Sequence, residues 1–349
     1  MKRSARKHNQ FKLWFFQKTA QSQEKKEMMA RWVKGVSACG DEYIWANDGM
    51  TQPVKNQDRE FGLMWGWPLH GRDAVQVEEG FINTSAKNRS DLRQKCLTSF
   101  EEAGGTRKNM FFFEGNVLKH FEKSGRIRYY RFPLNSIHAN QSDFLEFDDN
   151  VDKRVEQITS DLNLKVHDWK TKGDHIMIFL NRGVGGWSHM GIDVYTWLKE
   201  TVLELRKYTD RPIKVKDHPG RHAMNETHKN EVLRFLQYSV KDVEYYHSVT
   251  KVLGDYSNAY LKTAWASVIL TSTAGAVSMM KGVPTFVTHD AAYIKPWSAG
   301  ELKDIENPNL NVDRDEFLRY YANSHWSLEE VEQGDLWRKL REQRGFGND

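Results

Sequence analysis

Short apolar runs alternate with longer amphipathic stretches in the second half of the chain. The apolar runs predict strands, and the stretches with apolar residues at helical spacing predict helices. In chain order these are a strand at 175–180, a helix at 193–208, a strand at 213–216, a helix at 228–237, a strand at 243–247, a helix at 258–263, a strand at 267–271, a helix at 275–281 and a strand at 284–288. Strict alternation with helical crossovers predicts a parallel, doubly wound α/β sheet.

The first half has a less regular pattern. It predicts strands at 61–67, 74–81, 110–114 and 126–132, and helices at 90–103 and 151–162. A polar, glycine-containing segment at 170–174 predicts a domain junction, and the tail has three helical patterns, at 314–324, 327–334 and 335–344. We therefore expect three parts: an N-terminal domain over 1–170, a C-terminal domain over 171–312 and a helical tail over 313–349.

Length and composition limit the class of protein. With 349 residues the chain can form two domains of ordinary size. It has no apolar run near the roughly 20 residues of a membrane span and no secretory signal, so we expect a cytoplasmic protein without a membrane span. Cys39 and Cys96 have neither CxxC nor histidine spacing, which argues against a disulfide framework or a zinc site. Nothing in the pattern specifies an oligomeric state.

Positive charge is concentrated at the N-terminus. Residues 1–34 carry ten Lys or Arg against two Glu, a net charge of +8, whereas the whole chain has a net charge of +4. Phe11, Trp14, Phe15 and Phe16 lie among these cations. Cations that contact phosphates, beside rings that stack on bases, are typical of a nucleic-acid surface. The segment also fits an amphipathic helix whose aromatic face packs on the protein body.

The segment 268–289 combines several features of an anion site. Its pattern predicts a strand, a tight turn, a helix of small residues and a second strand, with the helix N-terminus at the sheet edge. Free backbone N–H groups, the helix dipole and two hydroxyls would converge there, so we expect a diphosphate to bind at this turn. The residues expected at this site are Ser272, Thr273, Ala274, Gly275 and His289.

Two further features lie at predicted strand ends upstream. One strand ends at Lys216 and is followed by His218, which places the imidazole at the ligand edge of a parallel sheet. The loop after the first strand of the second half contains Arg182 and several glycines, including Gly185, which permit close approach to a ligand. Alternatively, His218 caps a neighbour and the glycine loop is a flexible surface turn. The fingerprints of dinucleotide-binding enzymes and of NTPases are both absent from the sequence.

These motifs resemble a known family. A strand ending in His218-Pro219, a T-S-x-x-G turn at 271–275 and a G-x-P segment at 282–284 resemble the nucleotide-binding half of two-domain, GT-B type glycosyltransferases. They resemble in particular the capsule Kdo-transferase and sialyltransferase types and glycosyltransferase-like proteins of phages, to which segment 322–330 is also similar. The resemblance implies two Rossmann-like domains that face a cleft, with C-terminal helices packing back. It also implies that His218 and the Ser272–Thr273 turn bind the phosphates of the donor.

The resemblance further implies a nucleotide-sugar donor, with a UDP-sugar favoured and a CMP-sugar as the second choice. Many GT-B enzymes have an acidic residue in the helix after the phosphate turn, where it binds the donor ribose. Here the helix reads AVSMM at 276–280, so the identity of the nucleotide stays open. There is no D-x-D signature, and the helix dipole, Arg182, Lys216 and His218 can neutralise a leaving diphosphate. We therefore expect neither an obligatory metal nor a tightly bound cofactor.

Sugar transfer needs a carboxylate, either as the base that takes the proton of the acceptor hydroxyl or as a nucleophile on the anomeric carbon. Glu78 and Glu79 end a predicted strand. In the similar segment of capsule Kdo transferases an Asp stands where Glu79 does, so the resemblance implies Glu79 as the catalytic carboxylate and Glu78 as the second choice. From spacing alone, a solvated strand end remains an alternative, as do five other carboxylates: Asp41, Asp48, Asp58, Asp73 and Glu114.

Three functions remain open on the acceptor side. The first is a phage-type transferase that adds a sugar to a hydroxymethylated base in double-stranded DNA, in the host cytoplasm. The second acts on a cell-envelope or capsule polysaccharide, and the third is a nucleic-acid-binding protein without catalytic activity. For the first function, we expect cations and aromatic rings of the N-terminal half to contact the acceptor: Lys7, Lys12, Trp14, Trp65, Trp67, His70 and Arg72. The alternative role of the rings is in the hydrophobic core.

Overall fold

A computed structural model describes residues 10–65, 84–118, 121, 129–134, 150–181, 192–218, 226–246 and 260–344, with only the backbone for 84–90. The elements of the N-terminal half are β1 (Lys12–Phe15), α1 (Gln23–Ala38), β2 (Glu42–Trp45), β3 (Glu60–Trp65), α2 (Thr84–Glu102), β4 (Met110–Gly115), β5 (Tyr129–Arg131) and α3 (Val151–Asp161). The predicted strand 74–81 lies outside the described residues, as does most of the predicted helix 258–263.

The C-terminal half and the tail follow in the same way. The elements of the C-terminal half are β6 (His175–Phe179), α4 (Val194–Leu205), β7 (Ile213–Lys216), α5 (Glu226–Ser239), β8 (Val243–Tyr246), β9 (Ala264–Ile269), α6 (Ala274–Met280) and β10 (Thr285–Val287). The tail contains α7 (Arg314–Ser324), β11 (His325–Ser327), α8 (Leu328–Gln333) and α9 (Asp335–Gln343).

The C-terminal half forms a parallel sheet with the strand order β10-β9-β6-β7-β8. Its first strand, β6, is central; the chain adds β7 and β8 on one side and then β9 and β10 on the other. Every residue of β6 is buried, because both faces of the sheet are covered. The predicted doubly wound sheet is thus confirmed, and its strand order reverses between β6 and β9.

The N-terminal sheet has the order β11-β5-β4-β3-β1-β2. Strands β1 to β4 are parallel, whereas β5 and β11 pair antiparallel at one side. The carboxyl ends of the four parallel strands therefore lie along one edge of the sheet. This edge is the counterpart of the ligand edge in the C-terminal half.

Strand β1 was not predicted from the sequence. The expectation of a nucleic-acid surface, or of an amphipathic helix, is wrong for residues 12–15, which form an inner strand between β2 and β3. Phe11, Leu13 and Phe15 pack in one core cluster with residues of α1 and the tail, while Trp14 packs in another cluster with residues of α2. Because both faces are buried, apolar residues follow one another without the alternation that marks a half-exposed strand.

The tail returns to the N-terminal half. Strand β11 pairs with β5, and α8 packs against α1. In α9, Nε1 of Trp337 donates a hydrogen bond to Oδ2 of Asp41 at 2.7 Å, and Oδ1 of the same carboxylate accepts the amide of Phe11 at 2.9 Å. The prediction that the C-terminal helices pack back is therefore confirmed.

Candidate functional site

The carboxyl ends of β6 and β9 meet where the strand order of the C-terminal sheet reverses. Asn181 follows β6, Thr271 follows β9, and both side chains are buried. Nδ2 of Asn181 donates to Oγ1 of Thr271 at 2.9 Å, and the amide of Thr271 donates to Oδ1 of Asn181 at 3.2 Å. These two hydrogen bonds fix the start of the next turn at the place where doubly wound sheets bind ligands.

The turn predicted to bind phosphate follows directly. Thr273 is exposed, Ser272 is half-buried, and the Thr273 side chain makes no capping hydrogen bond to α6. The amide of Ala274 donates to Oγ of Ser272 at 3.3 Å, that of Gly275 to the Ser272 carbonyl at 3.1 Å, and that of Ala276 to the Thr273 carbonyl at 3.1 Å. The expectation of free amides is wrong at these three positions. The turn also presents the hydroxyl groups of Ser272 and Thr273.

Gly275 has a packing role in this turn. A Cβ atom at Gly275 would lie 2.5 Å from Cδ1 of Ile269 and 2.7 Å from Cδ1 of Ile294. The missing side chain therefore lets α6 lie close to β9, the strand that precedes it. Gly275 is therefore buried and positions the turn, and its expected phosphate contact stays a prediction.

Lys216 ends β7 and His218 follows it, so both lie at the same carboxyl edge. Lys216 is half-buried; burial lowers the pKa of its ammonium group, and its Nζ lies 5.4 Å from the ring centroid of Tyr260. Asp217 lies between Lys216 and His218 in the sequence. Its Oδ1 accepts a hydrogen bond from the amide of His218 at 2.8 Å, and its Oδ2 lies 3.9 Å from Nζ of Lys229. This strand end offers a cation and an imidazole on a fixed backbone, which suits an anionic ligand.

His289 follows β10, two strands away from β6 at the same edge. Its Nδ1 accepts the amide hydrogen of Ala291 at 3.1 Å. Burial lowers the pKa of the imidazole, so the ring is neutral near pH 7. Because Nδ1 is the acceptor, the proton lies on Nε2. The edge therefore also holds a neutral N–H donor.

Two residues expected to contact an acceptor have other partners. Trp14 is fully buried, and its Nε1 donates to Oε2 of Glu60 at 3.0 Å. The ring belongs to the core and has no free face for a base, which corrects the expectation from the sequence. Nζ of Lys12 lies 3.5 Å from Oε2 of Glu42, so its charge is already paired on the neighbouring strand.

Trp65 ends β3, at the carboxyl edge of the N-terminal sheet. The ring is half-buried; Nζ of Lys25 lies 4.1 Å from its centroid, and the ring of Phe113 is 4.6 Å away at 74°. Glu114 lies near the end of the neighbouring strand β4, and Arg131 stands opposite Glu114 in the β4–β5 pair. An aromatic ring, a carboxyl group and two cations thus lie at this edge. The role of Trp65 as an acceptor contact stays a prediction.

Several predicted site residues lie outside the described residues, and their roles stay predictions: Lys7, Trp67, His70, Arg72, Glu78, Glu79, Arg182 and Gly185. Within the described ranges, no group of three or more His, Cys, Asp or Glu side chains could hold a metal ion. The helices of those ranges include none with the length and apolar character needed to cross a bilayer.

Asn181, Thr271 and Arg131 were missed as site residues. The first two directly follow apolar strands, and a polar residue at the carboxyl end of a parallel strand is a signal that could have found them. Arg131 lies in a three-residue strand whose partners, β4 and β11, are distant in sequence. No local pattern marks such a position.

No family model matches this sequence, and no curated protein sequence is similar to it. Among solved structures, Thermosulfurimonas dismutans KpsC, β-Kdo 2,4-transferase, aligns with a TM-score of 0.51 at 10% identity, over 95% of this chain and 99% of that chain. KpsC, β-Kdo 2,7-transferase, from the same organism has a TM-score of 0.45 at 11% identity, over 96% and 100% of the two chains. Anabaena HepE in complex with UDP-glucose has a TM-score of 0.30 at 10% identity, over 96% and 98%. The alignment with a TM-score of 0.51 shows a shared fold. The chain therefore has the two-domain, GT-B type fold that its sequence predicted.

Proposed function

We propose that this protein is a glycosyltransferase that moves a sugar from a nucleotide-sugar donor to a hydroxyl group of a saccharide acceptor. The observation that carries the proposal is the Asn181–Thr271 pair at the reversal of strand order, with Ser272 and Thr273 directly after it. In doubly wound sheets, the crevice at this point binds nucleotides. The fold shared with a structure described as a β-Kdo 2,4-transferase supports the same class of reaction.

The donor phosphates are proposed to lie along the carboxyl edge of the C-terminal sheet. The Thr273 hydroxyl and Nε2 of His289 can donate hydrogen bonds there, and Lys216 and His218 lie at the end of β7, on the other side of β6. Negative charge grows on the phosphate oxygen as its bond to the anomeric carbon breaks, and these groups stabilise that charge. Arg182 and Gly185 are proposed to contact the same phosphates. The favoured donor is a UDP-sugar, with a CMP-sugar as the alternative, and no metal is required.

Glu79 is proposed as the carboxylate that acts at the reacting sugar, with Glu78 as the second choice. Both lie at the end of a predicted strand of the N-terminal half, so they would face the donor from the other side of the cleft. A carboxylate at this place either attacks the anomeric carbon or stabilises the positive charge that develops there.

A saccharide is favoured over DNA as the acceptor because the N-terminal aromatic segment does not form a nucleic-acid surface. All its rings are fully buried and cannot stack on bases: Phe11, Trp14, Phe15 and Phe16. Nearby cations are paired within the protein, with Lys18 Nζ 2.9 Å from Asp48 and Arg31 2.8 Å from Glu332. A hydroxymethylated base in phage DNA is therefore the second choice of acceptor, and the experiment below tests it beside the saccharide.

The proposal is tested by mass spectrometry of products. The full chain is incubated with UDP-glucose, UDP-N-acetylglucosamine or CMP-N-acetylneuraminate, each with an oligosaccharide mixture or with DNA that contains hydroxymethylcytosine. We expect one donor to be consumed and an oligosaccharide to gain the mass of one sugar, also in the presence of EDTA. A mass gain on the DNA would make the acceptor assignment wrong. Consumption of no donor, together with no nucleotide binding by calorimetry, would overturn the glycosyltransferase proposal.

Replacing His218 tests the donor side by binding alone. We expect His218→Ala to weaken nucleotide binding by about 10- to 150-fold, because a hydrogen bond to a charged phosphate contributes about 1.5 to 3 kcal/mol. The measurement is the Kd of UDP or CMP by isothermal titration calorimetry. The matched control is His167→Ala: the amide of His167 donates to the carbonyl of Met280 at the far end of α6, so binding should not change. An unaltered Kd in His218→Ala contradicts the phosphate role.

A further inference from the structure

We propose that Glu114 takes the proton from the acceptor hydroxyl, and that Arg131 binds the same acceptor through its Nε–H group. This inference rests on the proposed function and adds the acceptor end of the site. Glu114 lies near the carboxyl end of β4, beside the end of β3. In parallel sheets this edge faces the ligand crevice.

Glu114, Arg131 and His325 form a row across three neighbouring strands. Arg131 on β5 stands opposite Glu114 on β4 and also opposite His325 on β11. Residues directly opposite each other in antiparallel pairs share one face of the sheet. The guanidinium carbon of Arg131 lies 5.2 Å from the ring centroid of Tyr293, which follows β10 of the C-terminal half. The row therefore lies where the two halves meet, which is where an acceptor must lie to reach the donor sugar.

The polar groups in this row differ in their hydrogen bonds. In His325, Nε2 accepts the amide of Val117 at 3.4 Å, and Nδ1 lies 3.2 Å from the Tyr321 carbonyl oxygen, so the ring is satisfied. Nε of Arg131 is buried without a hydrogen-bond partner in the described part of the chain. Glu114 has no hydrogen bond and no close ion pair with any described residue, and cations act on it only at longer range. A buried donor without a hydrogen-bond partner, such as Nε of Arg131, is costly unless a ligand pairs with it.

Three cations face Glu114 from the elements around it: Arg131 from β5, Arg93 from α2 and Lys25 from α1. Each of them favours the ionised carboxylate, yet burial has the larger effect and raises the pKa of Glu114. A carboxylate whose pKa is moved toward neutrality is a more effective proton acceptor than an exposed one. The surroundings therefore suit the proposed role.

The proposed step balances in atoms and charge. The acceptor O–H bond breaks while its oxygen forms a bond to the anomeric carbon, and the proton moves to the carboxylate of Glu114. The bond between the anomeric carbon and the phosphate oxygen breaks, and its electron pair leaves with the nucleotide. Arg131 holds the acceptor by a hydrogen bond to one of its oxygens. In this single displacement Glu79 is assigned to stabilise the positive charge that develops at the anomeric carbon.

The test of Glu114 uses the pH dependence of transfer, with the donor that the full chain consumes in the panel above and an oligosaccharide acceptor. We expect Glu114→Gln to lower kcat by about 100-fold or more, the usual effect of removing a general base, without changing the Kd of the nucleotide. In the parent, kcat falls toward acid as Glu114 becomes protonated, and this acid limb should be absent from the variant. The matched control is Glu102→Gln, which changes an exposed carboxyl group at the end of α2 and should keep the limb.

Arg131 provides a second test that does not remove the carboxylate. Arg131→Met removes a neighbouring positive charge, which raises the pKa of Glu114 further, so the acid limb should move to higher pH and the KM of the acceptor should rise. Arg131→Lys keeps the charge and should leave the limb near its parental position. A purely structural role for Arg131 would lower the melting temperature in both variants and leave the limb in place.

The outcomes separate this inference from the proposed function. If Glu114→Gln transfers within a few-fold of the parent and keeps the acid limb, the inference is overturned while the glycosyltransferase proposal stands. The same holds if the limb does not move in a folded Arg131→Met protein. A parent protein that consumes no donor and binds no nucleotide overturns both.

Discussion

The carboxyl groups of Asp41, Glu60 and Glu114 differ in their hydrogen bonds. Asp41 accepts hydrogen bonds from a backbone amide at 2.9 Å and from Nε1 of Trp337 at 2.7 Å. Glu60 accepts Nε1 of Trp14 at 3.0 Å and two backbone amides. These two groups hold strands and loops in place. Burial raises the pKa of both Asp41 and Glu114, but Glu114 has no comparable hydrogen-bond partner among the described residues to offset that effect.

This difference predicts how stability depends on pH. Because burial raises the pKa of Glu114 in the folded state, the stability that it contributes is present at low pH and is lost as the pH rises through the folded-state pKa. Glu114→Gln is neutral at every pH, so we expect it to melt at a higher temperature than the parent at pH 8, with a smaller difference at pH 4. Calorimetric melting temperatures at pH 4, 6 and 8 provide the measurement.

Glu102→Gln serves as the control for this titration. Its carboxyl group is exposed, so the difference from the parent should not depend on pH in this way. A Glu114→Gln protein whose difference from the parent is the same at all three pH values would contradict the raised pKa.

Individual site residues could be predicted from the sequence where they lie at the end of a predicted strand. The positions of Lys216 and His218 at the carboxyl edge of the sheet could be predicted because the alternating pattern of residues 213–216 indicates a strand. Trp14 was misassigned because an aromatic residue among cations looks the same whether it faces a nucleic acid or the core. Arg131 could not be predicted, since its importance comes from partners on β4 and β11 that lie far away in sequence.

At the scale of elements, alternating or well-capped segments were predicted with their observed bounds. Strand β7 alternates between buried and partly exposed residues, and α7 begins after Asp313, whose side chain accepts two amides of the first turn. Helix α1 was not predicted with its bounds although Met28, Met29, Trp32 and Val36 have helical spacing, because the positive charges among these residues also fit a nucleic-acid surface. Strand β1 was missed because both of its faces are buried.

Helix α6 and strand β9 give a prediction at this scale. We expect Gly275→Ala to destabilise the protein by about 1 to 3 kcal/mol, because the added methyl group would overlap Ile269 and Ile294. The helix would move away from the strand, and the Ser272–Thr273 turn would move with it. Urea unfolding measures the first effect, and the Kd of the nucleotide, which should rise, measures the second.

Gly115→Ala is the control for this substitution, since a Cβ at Gly115 meets no atom within 4 Å. It should change the free energy of unfolding by less than Gly275→Ala does. Equal effects of the two substitutions would contradict the close-packing role of Gly275.

At the scale of the whole molecule, the chain passes between the two halves twice, before β6 and again before β11. Arg154 of α3 contacts the chain just after the second crossing. Its guanidinium lies 3.8 Å from the ring centroid of Trp326 in β11 and 2.8 Å from Oε1 of Glu330 in α8. Helix α9 then covers the aromatic core of the N-terminal sheet, where Trp337 contacts the ring of Phe61 with a centroid distance of 5.9 Å. The tail is therefore part of the N-terminal core.

Trp337→Ala tests this part of the fold. We expect a loss of about 3 to 5 kcal/mol in the free energy of unfolding, because a large buried side chain is removed and Asp41 loses a hydrogen bond. Urea unfolding followed by circular dichroism measures it. Trp45→Ala is the control, since the Trp45 side chain is 38% exposed at the sheet edge, and its cost should be much smaller. A small effect of Trp337→Ala would show that the tail is dispensable for the core.

The position of β11 in the N-terminal sheet also has a consequence for synthesis of the chain. The ribosome makes β1 to β5 first, yet their sheet gains its last strand and the covering helix α9 only after the whole C-terminal half has been translated. Until then, Phe11 and Phe61 lack the cover that Trp337 gives them. The nascent N-terminal half therefore exposes aromatic surface throughout elongation of the second half, and this is the stage at which aggregation competes most strongly with folding.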